Sequence, residues 1–125
     1  ISPYTLNLSR KRVTNETAEV KINKPKHRLF NYPNTINSSD FEYWVQERGL
    51  YFPESWGPEF EAVLSMNDRG ETPLQGGLLI AKYGKGHYIY TGLSFFRQLP
   101  AGVPGAIKLF TNMLSVSDLN KTVDN

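Results

Sequence analysis

The sequence predicts an α+β domain: a mixed, largely antiparallel sheet with a β-hairpin at its centre, packed by two main helices. Three observations lead there. The runs "GLLIAKY" and "HYIYTGL" are β-rich and joined by "GKG", which reads as a tight hairpin from Leu78 to Thr91 with glycine supplying left-handed positions. Apolar residues recur at helical spacing in two stretches, 40–47 and 104–115. A chain of 125 residues, 39% hydrophobic and 13% aromatic, suffices for one core and not for two.

The elements follow in order. "SPYTLNLSRKRV" alternates weakly, with Tyr4, Leu6 and Leu8 on one side, as a half-buried strand or extended arm does. "AEVKI" repeats the alternation and is stopped by "NKPKH". "LFNYPNTINSSD" is loop by composition and ends in a helix start, because Ser39 and Glu42 have capping-box spacing. The first helix then buries Phe41, Trp44 and Val45, and Gly49 is its left-handed stop. "GLYFP" predicts a brief strand ended by Pro53, "ESWGPE" a turn, and "FEAVLSMN" one strand with Phe60, Ala62, Leu64 and Met66 on a shared face. "DRGETPLQGG" is an exposed loop. After the loop "SFFRQLPAGV", Pro104 suits the first position of the second helix. Val103, Ile107, Phe110 and Leu114 line its predicted buried face, widened by Ala106 and Met113. Residues 1–117 therefore read as one domain or half-domain, and 118–125 as a polar, frayed tail.

Composition excludes several chemistries. Without cysteine there is no disulfide, thiolate nucleophile or Cys-type zinc site, and two dissimilar histidines, His27 and His87, predict no His-rich metal site. No apolar run approaches membrane-spanning length. "YGKGHY" lacks phosphate-loop spacing, and "GVPGA" is no dinucleotide fingerprint. Ser65 and Ser94 have no identifiable base partner, so no serine triad is expected. The net charge of +2 hides polarity: residues 1–28 carry seven Lys/Arg and two Asp/Glu, whereas 40–71 carry eight Asp/Glu and two Arg. Either the basic arm lies over the acidic middle, or two opposite patches face partners. Nucleic acid is not the expected partner, since "SRKRV" lacks aromatic stacking neighbours.

Five residues stand out as candidate ligand contacts, and none as catalytic. Asn67, Asp68 and Glu71 crowd a strand end, where carboxylates can do acid/base work or bind a cation, or where Asp68 caps its own turn. Arg97, alone among "TGLSFFRQLPAGVPG" in carrying charge, needs a carboxylate or backbone acceptors, with Glu47, Asp68 and Glu71 available. Trp56, in a Gly/Pro turn without a helical stripe, is the candidate stacking platform for a sugar ring.

The words "DFEYWVQERGLYFPESW", "SMNDRGETP" and "GGLLIAKYGKGHYIYTGLSFFRQLPAGVPGAIKLFTNML" carry a resemblance. From about Tyr4 to Ser115 the chain is similar to the C-terminal region of large PIG-L/LmbE-type deacetylases, especially those of Bacteroidetes. The resemblance implies the second half of a class I glutamine amidotransferase-like domain, its first half preceding Ile1. It implies that zinc belongs to a separate deacetylase domain and that no catalytic residue carries over onto this chain. It also implies a periplasmic or cell-surface address. Three functions follow as expectations. The chain is an accessory module binding carbohydrate or a protein partner, a purely structural domain orienting the rest of the parent chain, or part of a hydrolase site completed by the missing half through Glu71 or His87. A half-domain would also expose a sheet edge and so favour homo-oligomers.

Overall fold

The computed structural model describes residues 2–118, so all of the expected polar tail except Asp118 lies outside the described residues. The chain is α+β, but its strands form three small antiparallel sheets rather than one. Strand β1 (Leu6–Val13) pairs with β3 (Gly49–Trp56), and β2 (Val20–Ile22) with β5 (Leu64–Met66). The third sheet has the order β4-β6-β7, from Glu61–Ala62, Leu78–Tyr83 and Gly86–Thr91. Two helices follow, α1 (Phe95–Gln98) and α2 (Pro104–Ser115). Every strand pair among the described residues is antiparallel.

The hairpin lies where the sequence predicts it, with Tyr83 opposite Gly86 and Gly84 alone taking the left-handed position at φ 57°. It ends its sheet rather than centring a large one, because β7 is an edge. The run "LLIA" in β6 is buried on both faces: Leu78 and Ile80 enter the main core, and Leu79 and Ala81 a second cluster with Phe60. The expected single strand 59–66 is broken, since β4 pairs with β6 while β5 crosses to β2. Val63, fully buried at the break, is the pivot. Strand β3 runs through Pro53 to Trp56. Its pairing with β1 is interrupted by three register shifts, and Tyr51 lies at φ 55° within it. These shifts and the run Arg10-Lys11-Arg12 make β1 a poor template for a further strand.

Two helix expectations are corrected. Residues 40–47 are not helical: a single 3-10 turn, Ser38–Phe41, is capped by Asn37, whose box partner is Asp40 rather than the Ser39–Glu42 pair. Tyr43 at φ 68° and Gln46 at φ 67° then break any continuation, and Gly49 begins β3 instead of stopping a helix. Helix α2 begins at Pro104 as expected, yet buries Gly105, Ala106, Leu109 and Asn112, leaving Ile107 and Leu114 exposed. Asn112 decides this rotation. Its Nδ2 donates to the carbonyls of Leu29 and Asn34, and its Oδ1 accepts from Asn34 N and Nδ2. A fully satisfied amide is at home in a core that an apolar stripe alone would not select.

Candidate functional site

The loop after β5 is a clasp. The buried Asp68 carboxylate accepts from Thr14 N and Thr14 Oγ1 through one oxygen, both at 2.9 Å, and from Asn15 N at 2.7 Å through the other. Its main partners are thus in the chain after β1, and not only in its own turn, where its carbonyl accepts from Glu71 N. Arg12 adds an ion pair to Asp68 at 3.6 Å and to Glu71 at 3.4 Å. Lys24 meets Glu61 at 2.8 Å, so the basic arm does lie against acidic residues of the middle segment. Burial opposes ionisation of Asp68, but the hydrogen bonds from Thr14 and Asn15 and the Arg12 charge outweigh it and hold the carboxyl below its usual range.

The remaining candidates lie apart from that clasp. Arg97 Nε sits 2.6 Å from Glu47 Oε2, the first of the three carboxylates the sequence offers it. The N–H does not point at the oxygen, so the contact is ionic rather than a hydrogen bond. Trp56 is half-buried and packs on the Phe60–Leu79–Ala81 cluster, its ring edge facing Gly76. Of the five candidates Asn67, Asp68 and Glu71 come together, whereas Trp56 packs on the Phe60 cluster and Arg97 pairs with Glu47. His87 is held by Ser117 Oγ at 2.7 Å, and burial, with His27, Lys82 and Arg28 nearby, lowers its pKa. Among the described residues no three His, Cys, Asp or Glu side chains are grouped to hold a metal ion. No helix among them is long and apolar enough to cross a membrane.

Two open clefts flank the segment Asn15–Val20, and Thr17, Ala18 and Glu19 line both. One, of about 510 Å³, is polar and includes Asn67, Ser65, Lys21 and Arg69. The other, of about 530 Å³, has the rings of Phe41 and Trp44, the Arg48 side chain, and Glu16, Glu19 and Glu42 around it. Phe41 and Trp44 stack at 5.5 Å between ring centres, and Trp44 Nε1 donates to Asp40 O. Tyr43 stands between them in sequence but points out, 81% exposed. Its backbone is left-handed at φ 68°, and the residues that follow are held from outside the loop: Gln46 N donates to Glu16 Oε2, and Gln98 brackets Val45 with both amide atoms at 2.8 Å. Strain of this kind, of about 1–3 kcal/mol per residue, persists only where surroundings enforce it, and it gathers at binding sites.

Arg48 bolts the second cleft together. Its Nε and Nη2 donate to Ala18 O, and its Nη1 to Phe41 O, so it ties one wall to the other. It is 5% exposed, and burial pushes its pKa down to about 10 against the pull of Glu16. Sequence reasoning missed this cleft, because its residues come from segments 16–20 and 38–48 that no local pattern joins. The one available signal was Arg48 itself, a lone cation between the acids Glu47 and Glu54. Comparison with family models, curated proteins and solved structures found no match.

The clasp has a pH signature. Asp68 and Glu61, the latter lowered chiefly by its Lys24 hydrogen bond, titrate below their ordinary range when folded. The stability they add is complete above that range and is lost as pH falls through it. His87, also lowered, adds a loss that begins as pH falls through the ordinary imidazole range. The urea midpoint is therefore expected to fall in two steps on acidification from neutral pH. Asp68→Asn should flatten the lower step, and an unchanged profile would show that the carboxylate contributes nothing to it.

Proposed function

We propose that this chain is a non-catalytic accessory module of a PIG-L/LmbE-type deacetylase and that it binds carbohydrate in the Phe41–Trp44 cleft. The deacetylase context rests on the resemblance of the sequence words; zinc would belong to the separate catalytic domain, and the address would be periplasmic or cell-surface. The binding reading rests on one observation above the others. An aromatic ring, Tyr43, is held out into solvent on a left-handed backbone beside a cleft with an aromatic floor and a carboxylate rim. Sugar rings bind on such surfaces, apolar face on the ring and hydroxyls on the polar edge. The groups a hydrolase would need have structural employment instead: Asp68 clasps Thr14 and Asn15, and Glu71 pairs with Arg12.

Calorimetric titration with glycans containing N-acetylglucosamine tests the reading, repeated on Tyr43→Gly. Glycine tolerates the φ of 68° without strain, so this variant should be as stable as the parent or more so. Binding should nevertheless weaken by about tenfold, the loss of one stacking surface. Binding unaffected by the change would clear Tyr43, and no binding of any glycan would favour a scaffold. One observation supports that second, structural reading: Ile107 and Leu114 of α2 and Phe96 of α1 are exposed apolar groups that another part of the parent protein would cover.

A further inference from the structure

Arg48 is over-buried for the partners it has. A guanidinium that is 5% exposed normally faces a carboxylate, because carbonyl dipoles alone leave its charge uncompensated. Among the described residues no carboxylate comes within ion-pair distance of it. Three of its donors are spent on Ala18 O and Phe41 O, which leaves part of the planar fork free. The side chain lines the cleft between Phe41 and Trp44, with its Cζ 5.9 Å from the centre of each ring. A guanidinium beside two aromatic rings in a cleft is suited to a bidentate anion.

The mouth has the opposite sign. Glu16, Glu19 and Glu42 line the same cleft and are exposed, and the Glu16 carboxylate is already directed to the loop by Gln46 N. A ligand that is only an anion would pass these carboxylates at a cost, whereas one with an ammonium on its outer side would be drawn in. One cleft is therefore lined by charges of both signs, the buried Arg48 and the exposed Glu16, Glu19 and Glu42.

We infer that the carbohydrate taken by this cleft is an amino sugar that also bears a carboxylate, seated with the carboxylate on Arg48 and the free ammonium among Glu16, Glu19 and Glu42. The inference rests on the carbohydrate-binding reading and narrows it to one chemical class. The ring lies against Phe41 and Trp44, and nothing is transferred or cleaved.

Four matched sugars test this on the unaltered protein: N-acetylglucosamine, glucosamine, N-acetylmuramic acid and muramic acid. They vary the free amine and the lactyl carboxylate independently. Muramic acid should bind tightest, about tenfold or more beyond N-acetylglucosamine, with the two singly charged sugars between. Glu19→Gln, at an exposed position, should shrink the gain from the free amine and leave the gain from the carboxylate. If neither lactyl sugar binds tighter than its counterpart, the Arg48 seat is wrong. If unmasking the amine gives no gain, the rim assignment is wrong. N-acetylglucosamine binding that depends on Tyr43 but gains nothing from either group would overturn the inference and leave the carbohydrate reading standing. No binding by any of the four would sink both.

Discussion

Gly105→Ala should unfold the domain or destabilise it by about 3 kcal/mol or more, the largest single-residue effect expected here. Helix propensity alone predicts the reverse, since alanine is better than glycine in a helix by up to about 1 kcal/mol. Packing decides the sign. A Cβ on Gly105 would fall inside the backbone of Asp40, meeting its carbonyl oxygen, carbonyl carbon and Cα together. Backbone cannot swing aside as a flexible side chain does, so α2 would have to lift off the Ser38–Phe41 turn. That turn also carries Asp40, whose side chain caps Asn37 N and pairs with Lys108 Nζ at 3.0 Å. Thermal and urea unfolding of the variant decide the matter, and a melting point equal to or above the parent's would mean that helix and turn are not in contact.

Asn112→Leu comes second. A leucine, branched at Cγ like asparagine though larger, would improve the apolar stripe of α2 and would look stabilising to any pattern-based reading. It should instead cost about 2–3 kcal/mol, because it strands the buried Leu29 O and takes the partner from the half-buried Asn34 O and Asn34 N. Thr111→Leu, one residue away on the exposed side, serves as the control and should change stability by less than about 0.5 kcal/mol. Equal effects in the two variants would place the helix in the orientation its apolar spacing suggests.

What the sequence made legible was local. The hairpin at 78–91 and the start of α2 at Pro104 are set by glycine and proline, whose backbone preferences act within a few residues. Long-range choices were hidden. The Phe41-Trp44-Val45 spacing suits a helix, yet Tyr43 and Gln46 are left-handed, and Glu16 and Gln98, distant in sequence, take the backbone N–H groups of Gln46 and Val45. Alternation from Phe60 to Met66 reads as one strand, and only the competing partners β2 and β6 divide it at Val63. The site was half legible. Arg97 needed a carboxylate and has Glu47. Asp68, read as a ligand contact or a cap of its own turn, has its side-chain partners in Thr14 and Asn15, which precede it by more than 50 residues. Tyr43 and Arg48 could be valued only once Ala18 had been brought to them.

The pairing of β1 with β3 has a consequence for how the chain acquires its shape. Leu6 must find Trp56, and Val20 must find Met66, so each early strand is made long before its mate exists. Such distant closures are slow, and a waiting strand is a hazard for sticking to its neighbours. The cationic triplet at positions 10–12 opposes such sticking, since like charges on two copies of the unpaired strand would repel before residues 49–56 are in place.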